Sequence, residues 1–266
     1  MFLFLLMVCT ICSVSSQQKV KTHADTQLAA KTTVADWDNY FVGKILFEDK
    51  ASETKGSEIY HSLIPDPQAY IAEQARVVLH TLYFSPEDSI VPVHTLRYTL
   101  EDKEGISAKG GGNGRVGIFY STRHVENSFV NNDTAQVFFE TRGVLLHELT
   151  HAYQLEPQGI GSYGTSKVFF AFIEGMADAV RVANGGFTEA DRPKGGNYMD
   201  GYRHAGFFFV WLRDTKEADF IRKFNLSTLE VVPWSFDAAI KHVLGDTFQI
   251  DELWREYLIA KGDIES

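Results

Sequence analysis

A chain of 266 residues with 44% hydrophobic and 23% charged residues, 21 Gly and 7 Pro has the composition of a folded protein that buries a sizeable core, which excludes disordered and collagen-like classes. Its formal net charge of -10 at pH 7 repels phosphate backbones, so nucleic acid is not an expected partner.

Residues 1–16 carry no charge, and residues 2–8 form an unbroken apolar run followed by the small residues Ser13, Val14 and Ser15. This is the pattern of a secretory signal peptide, too short to span a bilayer comfortably. Its removal would take away both cysteines, Cys9 and Cys12, so the expected mature chain is secreted, free of disulfides and without stable membrane association. Residues 17–35 are polar, lack an apolar period and read as a flexible leader, and a single domain is expected over 36–266. The triplets beginning at Asn132 and Asn225 have the pattern of glycan acceptors, which agrees with export.

Aromatic and β-branched residues over 40–47 predict a strand. Ile71, Ala75, Val78 and Leu82 then repeat at helical spacing after Pro65 and Pro67. Alternation over 91–100 and the run 116–121 predict two further strands, with Gly110 to Gly114 as the hairpin turn before the second. No Gly-Lys-Ser/Thr follows those glycines and the next element is a strand, so a phosphate-binding loop is disfavoured. From Arg142 onward the pattern is helical, over 142–155, 167–183, 199–213, 235–244 and 250–260. Strands with one helix, followed by helices, predict an α+β domain in which a sheet covers a helical layer.

The segment His147-Glu148-Leu149-Thr150-His151 falls on a predicted helix. One helical turn separates the two histidines, so both imidazoles can reach one Zn²⁺, and Glu148 beside them is placed to act as general base toward a water on the metal. Leu145, Leu149 and Ala152 form the opposite, apolar face that anchors the helix. The other histidines show no metal-ligand spacing.

A catalytic zinc usually takes three protein ligands, and the next helix offers Glu174 and Asp178 one turn apart on an otherwise apolar segment. Such a pair resists burial unless a cation or donors compensate it. A zinc site supplies both, with Glu174 as third ligand and Asp178 accepting the free ring N–H of His147. The competing reading leaves both carboxylates facing solvent, one of them paired with Arg181.

The pieces Gly-Val-Leu-x-His-Glu-Leu-Thr-His, Ile-Glu-Gly-Met-Ala-Asp-Ala-Val-Arg, Asp200-Gly201-Tyr202 and Ile250-Asp251-Glu252-Leu253-Trp254-Arg255-Glu256-Tyr257 resemble the plant and microbial basic secretory protein family, gluzincin-like zinc peptidases. Gly105-Ile106-Ser107 and residues 116–121 fit more loosely. The resemblance implies a zincin-like fold: a small mixed sheet with an edge strand over the active-site helix, then a mostly helical C-terminal part. It implies His147, His151 and Glu174 on zinc, Glu148 as base and Asp178 behind a ligand. By analogy, residues 116–121 are the expected edge strand for a peptide or protein substrate, and Tyr202, or else His204, the expected donor to the oxyanion. This chain is acidic, and its loop 155–166 is longer than in plant members, so no substrate preference is carried over.

The expected function is a secreted zinc metallopeptidase that hydrolyses peptide bonds with a zinc-bound water and Glu148 as general base. Two alternatives stay open: a secreted binding or defence protein on a zincin scaffold, and a zinc hydrolase of a non-peptide substrate.

Overall fold

Strand-forming stretches in the N-terminal half pair into one four-stranded sheet, and the amphipathic segments that follow fold as helices. The structure, a computed structural model, describes residues 37–265, so the expected signal peptide, leader and both cysteines lie outside the described residues.

Strand β1 (Lys44–Asp49) is followed by helices α1 (Lys55–Leu63) and α2 (Pro67–Leu82), then by β2 (Thr95–Glu101), β3 (Ser107–Gly112) and β4 (Arg115–Ser121). Helices α3 (Thr122–Ser128), α4 (Thr134–Tyr153), α5 (Lys167–Ala183), α6 (Tyr202–Thr215), α7 (Phe220–Glu230), α8 (Phe236–Leu244) and α9 (Ile250–Ala260) complete the chain. The fold is mixed α+β and mostly helical, with nine helices among the described residues. None of these helices is long and apolar enough to cross a membrane.

The sheet has the order β1-β2-β4-β3, with β2 parallel to both β1 and β4, and β3 antiparallel to β4. This corrects the expected edge: residues 116–121 lie in β4, which is paired on both sides, and the free edge on that side is β3. The cause lies in the glycines. Gly110, Gly111 and Gly112 continue β3 by pairing with Gly117, Val116 and Arg115, and the turn shrinks to Asn113 and Gly114, with φ of 52° and 73°. Asn-Gly accepts positive φ at both positions of a tight hairpin, whereas consecutive glycines carry no strand signal of their own.

Helix α4 begins at Thr134 rather than near 142, because Asp133 caps it by accepting from the Gln136 N–H at 3.0 Å. α5 spans the expected 167–183, capped by Ser166. Helices α1, α3 and α7 have no counterpart in the sequence reading. The first two are short and pack on each other so closely that a Cβ on Gly56 would meet the Thr122 carbonyl oxygen at 1.9 Å. Asn225 is no glycan acceptor in the folded chain. It is fully buried, its Oδ1 accepts from the Leu155 N–H at 3.0 Å and its Nδ2 donates to the Leu82 carbonyl at 3.2 Å. Asn132 is exposed.

Helices α5 and α6 form the most extensively packed helix pair, and two glycines permit it. A Cβ on Gly175 would lie 2.5 Å from Ala205 Cβ, and one on Gly206 would lie 2.8 Å from Asp178 Cβ, so any side chain at either position drives the helices apart. Gly143 makes room between α4 and α5 for the Arg181 side chain, since a Cβ there would stand 2.5 Å from Arg181 Nε. That guanidinium donates to Glu140 on α4 at 3.1 Å and to the Gly186 carbonyl at 2.8 Å, tying together the two helices that carry the candidate metal ligands. Phe208 and Phe209 of α6 pack into an aromatic core with Phe224, Phe236 and Trp254.

Gly206→Val is expected to destabilise the fold by about 1 to 3 kcal/mol through overpacking. It should also disturb the candidate metal ligands, because the segment it displaces carries Asp178; urea denaturation and a metal titration of the same variant check both effects.

Candidate metal centre

On α4, one helical turn brings His147 and His151 to the same face, their rings 4.7 Å apart at 89° and their Nε2 atoms 3.0 Å apart. On α5, the same spacing turns Glu174 and Asp178 toward them. Glu174 Oε2 lies 3.3 Å from His147 Nε2 and 3.5 Å from His151 Nε2. Asp178 Oδ1 lies 2.7 Å from His147 Nδ1 and fixes that ring with Nε2 facing the cluster.

His147, His151 and Glu174 are a group able to hold a metal ion, each offering one donor atom. Two observations test the fit to zinc. The donor separations of 3.0, 3.3 and 3.5 Å bracket the edge of about 3.3 Å that a tetrahedron with bonds of about 2.0 to 2.1 Å requires. In addition, Glu174 Oε2 is buried with no hydrogen-bond partner, while its Oε1 accepts from the Tyr163 hydroxyl at 2.6 Å. A buried carboxylate oxygen without a donor is costly unless a cation serves it. Two nitrogens and one carboxylate oxygen suit zinc, so the residues fit the group.

The electrostatics point the same way. Burial pushes the His147 imidazole down, but the hydrogen bond to Asp178 and the carboxylates of Glu174 and Glu148 close by outweigh it and hold the ring well above the ordinary imidazole range. Burial raises the Glu174 carboxyl, and the two imidazoles outweigh it to hold the group well below the usual carboxylate range. The Tyr163 phenol is pushed up by burial and by Glu174, which keeps its proton available to that oxygen.

Glu148 sits beside the ligands at 5% exposure. Its Oε1 accepts from the Ser107 hydroxyl at 2.5 Å, and its Oε2 is buried without a partner. Around this group opens a cleft of about 1200 Å³, lined by Ile106, Ser107, Ala108 and Lys109 from the β3 side and by Tyr163, Tyr202 and His204 from the helical side. Tyr202 lies with its ring nearly parallel to that of His147, 11° and 6.1 Å between centroids, and is 45% exposed. Its φ of 43° is unusual for a bulky residue and follows Gly201 at 69°. His204 also lines the cleft, with its ring beside Gly196. Arg181 pairs with Glu140 and with neither Glu174 nor Asp178, which removes the competing reading of those carboxylates.

Three contacts escape sequence reasoning. Gln154 Nε2 lies 2.8 Å from His151 Nδ1, and its Oε1 is buried without a partner. Turning that carboxamide by 180° gives an N–H at Nδ1 its acceptor and leaves Nε2 of His151 for the metal. The i, i+3 spacing on one helix was the available signal for this pair. Ser107 arrives from a strand 41 residues before Glu148 and Tyr163 from the loop between α4 and α5, and no local pattern marks them.

The carboxylates around the metal-free His147 favour a second proton on that ring, at Nε2, which a metal ion must displace. Zinc binding is therefore expected to release about one proton, and apparent affinity should rise with pH across the neutral range. Titration calorimetry in buffers of different ionisation enthalpy measures this; heats independent of buffer would contradict it.

The family model described as "Peptidase of plants and bacteria", BSP, matches residues 42–257. No curated protein and no solved structure in the comparison matches the chain.

Proposed function

The chain belongs to the BSP family, the peptidases of plants and bacteria, and from that premise we propose that it is a secreted zinc-dependent peptidase with its site between α4, α5 and β3. The observation that carries the reading is the group of His147, His151 and Glu174 around one unpartnered carboxylate oxygen, with the second unpartnered oxygen, on Glu148, beside it. Secretion rests on the apolar, uncharged segment at the start of the sequence.

His147 and His151, through Nε2, and Glu174, through Oε2, would hold the zinc. When bound there, zinc supplies Lewis acidity, which brings the pKa of a water down to about 7 and polarises the scissile carbonyl. Glu148 takes the proton of the attacking water on Oε2 and passes it to the leaving amine nitrogen as the C–N bond breaks. Asp178 keeps the proton of His147 on Nδ1, so the ring presents a lone pair at Nε2. The Tyr202 hydroxyl donates to the oxygen that gains charge as the carbonyl carbon becomes tetrahedral. The free edge of β3 pairs with the backbone of an extended peptide and brings its carbonyl to this group, while α4 and β3 wall off bulk water.

Glu148→Gln keeps the size of the side chain and removes the base. We expect peptide hydrolysis to fall by roughly 100-fold or more with zinc content unchanged, and a chelator to abolish the wild-type activity. Assays on a mixed peptide library, with and without chelator, read both. Full activity in the Gln variant would remove the proposed role of Glu148, and tight zinc binding without cleavage of any peptide would favour a binding function on the same fold.

A further inference from the structure

The hydroxyl of Ser107 donates to Glu148 Oε1 at 2.5 Å across a gap of 41 residues in sequence. Ser107 opens β3, the free edge of the sheet, and is half-buried, while its neighbour Ala108 is exposed. The strand register gives this residue a second property. The Ser121 N–H donates to the Ile106 carbonyl at 2.8 Å, and Ser107 stands opposite Tyr120. In an antiparallel ladder, hydrogen-bonded and non-hydrogen-bonded pairs alternate. Ile106 and Ala108 therefore turn their main-chain groups toward β4, and Ser107 and Lys109 turn theirs outward, to the open edge. Side chains alternate with the same period, so the Ser107 side chain faces α4 while its N–H and C=O face the space where a peptide strand adds.

We infer that Ser107 is a positioning residue: its side chain fixes the Glu148 carboxylate while its main chain aligns the substrate, so one residue sets the distance between base and scissile bond. The inference rests on the proposed role of Glu148 as base. A carboxylate turns about its last bond unless something holds one oxygen. Ser107 holds Oε1, and that leaves Oε2 as the free, buried acceptor for a proton. The main chain, which any residue supplies, carries the pairing with peptide, so loss of the hydroxyl should spare binding and slow the chemistry. Zinc is held by other atoms, on His147, His151 and Glu174, and should not respond.

The test uses the full zinc-loaded chain, with Ser107→Ala and Ser107→Thr beside Glu148→Gln. For Ser107→Ala, kcat is expected to drop by roughly 10- to 100-fold with KM within about twofold, zinc affinity unchanged and the thermal midpoint unchanged. Binding of a peptide hydroxamate, which needs Glu148 to accept its proton, should weaken in parallel. Ser107→Thr, which restores a hydroxyl on a residue that suits a strand, should recover most of the rate. A wild-type kcat in Ser107→Ala, with Glu148→Gln inactive, would overturn this inference alone. Activity retained in Glu148→Gln would overturn the underlying reading of the base. A loss of zinc affinity or of thermal stability in Ser107→Ala in step with the rate would also overturn the inference, because the bond would then be structural.

Discussion

Two acids buried one helical turn apart constrain everything else in this protein. Glu174 and Asp178 are 4% and 3% exposed on a helix whose residues between Lys167 and Arg181 are otherwise apolar or glycine, and an ionised carboxylate in such surroundings costs several kcal/mol unless charge and donors meet it. Asp178 is met by His147. Glu174 is met on one oxygen by Tyr163 and on the other by two imidazole nitrogens that stand at the spacing of metal ligands. The matching periodicity is the key: α4 places two histidines four residues apart, α5 places two acids four residues apart, and the helices face each other with these pairs in register.

That register depends on close backbone approach. Gly143 lets the Arg181 side chain lie against α4, and Gly175 and Gly206 let α6 press on α5 at the level of Glu174 and Asp178. The third wall of the cleft comes from the start of β3, whose first residue, Ser107, reaches Glu148. Tyr202 enters from α6 over the His147 ring, held by a left-handed backbone turn that Gly201 begins. Helix pair, strand edge and helix start thus converge on one group of donors.

The parts legible in the sequence were those written as short-range spacing. His147, Glu148 and His151 on one helix, Glu174 and Asp178 on the next, and the limits of α5 all follow from residues within a few turns of one another. The mixed fold was legible too, because strand-forming and helix-forming stretches are separated along the chain. What the sequence withheld depends on long-range pairing. The edge position of β3 is decided by which strand lies beside β4, and its three glycines carry no propensity that announces a strand. Ser107 reaches the site from 41 residues away and Tyr163 from an irregular loop, and Arg181, which the sequence offers to Glu174 or Asp178, pairs instead with Glu140 once α4 and α5 are docked. The start of α4 was missed because its first turns lack an apolar stripe and are set by the Asp133 cap.

X-ray absorption at the zinc K-edge of the purified, metal-replete protein addresses the central claim most directly, since it reports the donors around the ion without reference to turnover. A first shell of two imidazole nitrogens and carboxylate or water oxygen, four-coordinate at about 2.0 to 2.2 Å, with one zinc per chain, is the expected result. A shell of oxygen alone, or one that keeps both imidazoles and its full occupancy after Glu174→Ala with no change in coordination, would contradict it.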